Sequence, residues 1–346
     1  MFPKALWYKE YRQAKVLLWL MPIAGILCLT FSRYMNIYSM SAEQIEGYRL
    51  EFLQHNFTSW LFYNPFEDFI AYRVALSVLA LGTGVMLIGM ERWSGQQDLS
   101  FSLPFRRSQI FWVKWSIGIL FLTGTVLFST AADMGVIFFS PLREFLILEI
   151  HLNEMAQAIL AVCAWYTLVL LIGTITGGVL SQLGLSLLAS IFPLSLSMLG
   201  SSVPAGPVFD FSFTEKYEDF LAILNPAYFL LSPYDQEPES MMNLIIPAVY
   251  LLLFASLASY AYQHSKSEYD GQALIFPRLR PIFSWGLIIC SALLSGALIK
   301  LYNWEGYQAS FQSGTLFYSY YFAFLAGGTL AYLMTRLLRN KKIKII

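Results

Sequence analysis

Asp133, in the stretch STAADMGV, is the one carboxylate that falls well inside an apolar run of this 346-residue chain. A carboxylate at membrane depth is a functional candidate by default, because hydrocarbon solvates charge poorly. Asp133 is therefore a candidate intramembrane polar site for a proton or a small cation. A plainer reading competes with it. The residue lies six positions from Phe139, about 9 Å along a helix axis, so it can reach the outer interface or bond to a neighbouring helix. The plainer reading is preferred. Elsewhere the reactive residue types do not gather. His55, His151 and His264 are far apart, and Cys28, Cys163 and Cys290 each sit in an apolar run without metal-ligand spacing. A membrane enzyme with clustered His, Asp or Glu at one interface therefore finds no support.

A second candidate is polar rather than catalytic. ERWSGQQDLSFSLPFRR, residues 91–107, interrupts two long apolar runs. Gly95 permits a sharp change of direction. Residues 96–102 can make about two helical turns carrying Leu99 and Phe101, and Leu103 before Pro104 must be extended. Ser108 is a suitable cap for a helix running through Lys114 into the next apolar run. This describes a short helix lying crosswise at a membrane surface, held between two stiff spans and suited to passing force to a soluble partner. An ordinary loop fits the same residues nearly as well.

The elements that position these residues are apolar helices. Hydrophobic residues make up 57% of the chain and charged ones 13%, with mean hydropathy +0.56. A soluble protein averages about 25% charged residues. Zero net charge and a pI near 6.8 give no electrostatic reason for a nucleic-acid partner. A span needs roughly 20 mostly apolar residues, and eight segments qualify: 16–31, 71–90, 116–139, 156–180, 182–200, 241–262, 282–301 and 316–338. TGGVLSQ, residues 176–182, is the expected turn between the fourth and fifth. With both termini in the cytoplasm, sixteen Lys and Arg fall on the inner side and six on the outer, as the positive-inside rule requires. The predicted fold is an all-α polytopic membrane protein of one domain, 1–346, with outer loops at 32–70 and 201–240.

Further expectations attach to these elements. Residues 1–15 mix Lys and Arg with Trp7, Tyr8 and Tyr11, as in an amphipathic helix lying in the headgroup plane before the chain turns into the bilayer. Ser41 and Gln44 stand at capping-box spacing and predict an outer amphipathic helix bracing the first two spans. GTITG, residues 173–177, predicts close helix packing within the subunit, and Gly327 and Gly328 are read likewise. Pro22 and Pro193 predict kinks inside spans.

The pattern E-R-x-x-G-x-x-D/E-L-x-x-S-L-P-x-x-R followed by a Lys resembles the coupling-helix region of the permease subunits of type-2 ABC exporters. Glu91, Gly95, Asp98, Leu99, Leu103, Pro104, Arg107 and Lys114 occupy the matching places. LWYKEYRQAK, with Lys9, Glu10 and Arg12, is similar to that family's connecting helix, and LNPAYFLLSPYD, residues 224–235, to its extracellular stretch after the fifth span. Overall spacing resembles the Ytr and Nat-like permeases of Gram-positive bacteria, although their core usually has six spans. The resemblance implies a multi-pass subunit of the bacterial cytoplasmic membrane that exports a substrate. It also implies pairing with an identical or sibling permease, and room for an accessory membrane or extracellular subunit. Residues 91–115, with Leu99 and Phe101, would dock on separate ATPase subunits. The chain has no G-x-x-x-x-G-K-[S/T] phosphate loop. ATP and Mg are accordingly expected on the partner, and this chain is expected to be no enzyme and to hold no cofactor. An ion-gradient-driven transporter using Asp133 is the alternative.

Overall fold

The computed structural model describes residues 4–54, 70–146, 148–201, 242–265, 271–272, 274–302 and 315–340, and every regular element among them is helical. The first helix, α1, runs from Lys4 to Gly25, continues as a π-helical turn over Ile26–Phe31, and resumes as α2, Ser32–Tyr38. The turn expected between the leader and the first span is not found: α1 is continuous from Lys4 to Gly25. Nothing between Lys4 and Met21 breaks a helix. Its buried face is Leu6, Glu10, Ala14, Leu18, Met21 and Gly25, a stripe at three- and four-residue spacing. Pro22 sits within α1, removing one backbone donor shortly before the wide turn.

Next come α3, Ala42–Gln54; α4, Ile70–Gly84; a second π-helical turn, Val85–Gly89; α5, Met90–Trp93; and α6, Gln96–Ser102. Three long helices complete this region: α7, Arg107–Phe138; α8, Leu148–Ile175; and α9, Val179–Ser201. The remaining helices are α10, Met242–Gln263; α11, Arg280–Tyr302; and α12, Thr315–Asn340. All eight predicted spans therefore fall on helices, although the helices of the first, third and fourth spans begin earlier, at Lys4, Arg107 and Leu148. The fourth stops at Ile175 rather than 180, since Thr176–Gly178 forms the turn before α9.

Among the described residues, six helices are long and apolar enough to cross a membrane, those covering Lys4–Tyr38, Ala71–Trp93, Arg107–Phe138, His151–Ile175, Leu244–Gln263 and Pro277–Ile299. The chain is an all-α, multi-pass membrane protein. The predicted fifth and eighth spans, on α9 and α12, are not among those six; Val179–Ser190 is a shorter apolar helix.

The described residues fall into two compact units, one drawn from Met1–Ser186 with Pro226–Asp270 and one from Leu187–Asn225 with Gly271–Ile346. In the first unit α7 packs on α1, α4, α8 and α10, and α8 also packs on α4 and α10. Close approach is built from small residues. A Cβ on Gly25 would lie 3.0 Å from Thr125, and one on Gly118 only 2.1 Å from the Tyr166 ring. In the second unit α11 and α12 pair tightly. Ser295 donates to the Ala323 carbonyl at 2.7 Å and Ser291 to that of Gly327 at 3.0 Å. A Cβ on Gly327 would meet Ser295, which confirms the packing role expected of that glycine.

At the end of the first unit remote from residues 91–107, Ser41 and Gln44 cap α3 as their spacing predicted. The Ser41 N–H donates to Gln44 Oε1 at 2.8 Å, and the Gln44 N–H to Ser41 Oγ at 3.3 Å. Arg49 reaches Glu144 and the Pro141 carbonyl, and Ile37, Ile137 and Leu142 form a small core with Met40 and Ile45. Among the described residues, α3 is thus tied to the ends of the first and third spans. Residues 55–69 and 202–241, including the 224–235 stretch, lie outside the described residues.

Candidate functional site

Where α1, α5, α6 and α7 meet, four charged side chains form one cluster, three of them buried and Lys9 half-buried. Lys114 is fully buried and bonds Glu10 at 2.5 Å and Glu91 at 2.8 Å. Lys9 closes the ring at 2.8 Å from Glu91 and 3.2 Å from Glu10. Ser100, on α6, accepts from Lys9 and donates to Glu91. Two acids and two bases neutralise one another, which buried charge requires. The four come from three parts of the chain: Lys9 and Glu10 from the leader, Glu91 from the end of the second span, and Lys114 from the start of the third.

A second clamp lies beside the first. Arg92 Nε donates to Gln97 Oε1 at 2.9 Å, while its Nη atoms reach the carbonyls of Thr176 and Thr174. Thr174 lies in the last turn of α8 and Thr176 just past its end, where carbonyls lack helical partners and attract a cation. Arg107 does the same for α10, donating to the Ser265 carbonyl at 2.7 Å and to that of Gln263 at 3.3 Å. Its guanidinium also lies 4.2 Å from the centre of the Phe101 ring, a cation–π contact. Phe101 meets Tyr262 of α10 edge-on at 5.8 Å.

These clamps give α6 two faces. Gln97 and Ser100 are buried and Phe101 is half-buried, so one side is bolted to α1, α5, α7 and α10. Asp98, Leu99, Leu103 and Pro104 are exposed, with Leu99 at 68% and neighbouring Trp93 at 74%. The turn that allows this is Gly95, whose φ of 70° is left-handed and strains residues with a Cβ. Leu103 is extended as expected, with ψ 150°. The next helix starts earlier than expected. Arg106 rather than Ser108 is its N-cap residue, because the Gln109 side chain accepts the Arg106 N–H at 3.1 Å and already caps the first turn.

Of the site residues expected from sequence, Glu91, Gly95, Phe101, Arg107, Lys9 and Glu10 build the seat, and Asp98, Leu99, Leu103 and Pro104 lie on its outer side. Arg12 is exposed on α1. Arg92, Gln97 and Ser100 were not foreseen as site residues, and Lys114 only as the basic residue closing the pattern. A signal existed for Glu10, which stands in the apolar stripe Leu6–Glu10–Ala14–Leu18.

Asp133 lies far along α7 from this cluster. It accepts from Arg33 Nε at 3.1 Å, with both side chains at least 95% buried. The bond to a neighbouring helix is thus observed. Arg33 and Arg73, counted from sequence as outer-boundary charges, are both buried.

A multi-pass all-α membrane protein with a short, two-faced helix between two spans is the class that these features define. Comparison with known proteins is consistent with it. The chain is 26% identical over 210 residues to the "Probable ABC transporter permease YtrC" of Bacillus subtilis, covering 57% of this chain and 62% of that protein. It is 24% identical over 356 aligned positions to the "Probable ABC transporter permease YtrD" of the same organism, covering 98% of both. The similarity to Ytr permeases expected from the overall spacing is therefore present. No protein-family model matches the chain, and no solved structure matches it significantly.

Proposed function

We propose that this chain is the membrane subunit of an ATP-binding cassette transporter of the cytoplasmic membrane. It moves a substrate outward, driven by ATP hydrolysis on a separate ATPase that docks on α6. The single observation that carries the reading is the two-faced α6, clamped by Glu91, Arg92 and Arg107 on one side and offering Leu99 on the other. A helix bolted to the inner ends of several spans moves them together when a partner pushes on it. An exposed leucine beside Asp98 supplies an apolar anchor and an acid for that partner. The likeness to the two Bacillus permeases supports the same assignment.

The docking contact is therefore Leu99, with Trp93 and Leu103 flanking it, while Phe101 serves the seat from inside. ATP and Mg belong to the ATPase, and a second permease, identical or sibling, completes the membrane part. The test is purification in mild detergent from the native membrane, followed by identification of co-purifying proteins and an ATPase assay. A stoichiometric ATPase that is lost in Leu99→Asp supports the reading. Full retention of the ATPase in Leu99→Asp, or its absence from the unaltered chain under several extraction conditions, overturns it.

A further inference from the structure

The second span is not a uniform helix. Between α4 and α5 it makes the wide turn Val85–Gly89, in which the Met90 N–H reaches the Val85 carbonyl five residues back rather than Met86 four back. Such turns leave carbonyls short of helical partners and are uncommon inside long helices. Here three side chains from three other helices reach those carbonyls. Gln13 of α1 donates to Met86 at 2.6 Å, Lys114 of α7 to Leu87 at 2.8 Å, and Gln182 of α9 to Gly84 at 3.3 Å.

Gln182 is held in a slot made for it. A Cβ on Gly89 would lie 2.5 Å from its Oε1, and one on Gly173 only 2.4 Å from its Nε2. The amide nitrogen also donates to the Val169 carbonyl at 3.2 Å. Its oxygen, fully buried, accepts no hydrogen bond among the described residues. An unmet buried acceptor raises the free energy of this arrangement relative to one that satisfies it.

The position of the turn matters as much as its chemistry. It lies two residues before Glu91 and three before Arg92, which anchor α6. Lys114 belongs both to the charge cluster and to the turn, so a shift in one is felt by the other.

We propose that the wide turn Val85–Gly89 is a conformational joint. It converts between the π form and a regular α turn, and so moves the segment carrying α6 relative to the outer part of the second span. Gln13, Lys114 and Gln182 hold the wide form. Losing the extra residue from the turn advances the following helix by about 1.5 Å and rotates it by up to about 100°. The proposal rests on the proposed function only for what drives the joint.

Amide hydrogen exchange of the full chain in lipid nanodiscs tests it, comparing peptides over 84–90 with peptides over 117–124 of α7. Exchange at 84–90 is expected to be about tenfold faster, as a locally opening segment requires. Gln13→Leu and Gln182→Leu each remove one holding bond and should raise it about fivefold more. Deleting Met86 leaves a regular helix and should bring the rate down to that of 117–124. If the deletion variant does not accumulate, the two leucine variants carry the test. In the complex with its co-purified ATPase, ATP with vanadate should change exchange at 84–90 and leave 117–124 unaltered. Equal, slow exchange in both regions, unmoved by Gln13→Leu, overturns the joint. So does fast exchange that ignores nucleotide in a complex that hydrolyses ATP. Absence of any ATPase counts against the proposed function instead, and the nanodisc comparisons still decide whether the joint exists.

Discussion

Lys114 joins the charge cluster to the second span. It bonds two carboxylates and a backbone carbonyl with no exposure to solvent. Replacing one member of a buried ion cluster strands the others, at a cost of about 3–5 kcal/mol. Lys114→Met is therefore expected to lower thermal stability in detergent sharply, and adding Glu10→Gln should recover part of it by removing one stranded charge. Thermal unfolding followed by size exclusion reads both. The Arg33–Asp133 pair behaves in the same way. Asp133→Asn takes the carboxylate charge from beside a buried guanidinium and should reduce stability, and the double change to Met at both positions should regain part of the loss. An Asp133→Asn protein of undiminished stability that no longer transports would return the ion-coupled alternative to consideration.

Among elements, α6 separates two leucine-sized changes that look alike in sequence. Leu99→Asp places a charge in solvent and should leave yield and stability unchanged while removing the ATPase. Phe101→Asp buries a carboxylate against Tyr262, and should reduce folded yield before any partner is considered. Comparing monodisperse yield with ATPase retention in the two variants distinguishes docking from seating. A second test concerns the contact of α7 with α8. Tyr166 lies over Gly118 and donates to the Lys114 carbonyl at 2.9 Å. Gly118→Ala should cost about 1–3 kcal/mol by overpacking, and the loss should shrink when Tyr166 is replaced by Ala. Equal losses with and without Tyr166 would contradict that contact.

For the molecule as a whole, the testable quantity is orientation. The basic residues predict that the end bearing Lys9, Glu91 and Arg107 faces the cytoplasm, with Arg49 and Arg143 outside. Single cysteines placed at Arg49 and Arg143 should react with an impermeant maleimide on intact cells, and those at Lys15 and Arg106 only after lysis. Reaction of Lys15 on intact cells would invert the topology, and with it the access of any cytoplasmic ATPase to Leu99. The same experiment at positions in α9 and α12 decides whether the two helices outside the six strongly apolar ones also cross.

The all-α class, the turn at Thr176–Gly178, the α3 cap and the sharp bend at Gly95 were legible in the sequence, because each depends on apolar run length or on neighbours within a few residues. Apolar run length determines what can span a membrane, and a glycine or a Ser–Gln spacing acts within one turn of chain. Partnerships across the sequence were not legible. Glu10 and Lys114 are 104 positions apart, and Arg33 and Asp133 are 100 apart. Nothing local says that a buried acid will find that base. The inward face of Phe101 and the outward face of Leu99 are equally hidden, since a seven-residue helix shows its orientation only once something packs on it. Buried charge, freed carbonyls and the faces of short helices are resolved by what lies against them, and only the tertiary structure brings those surfaces together.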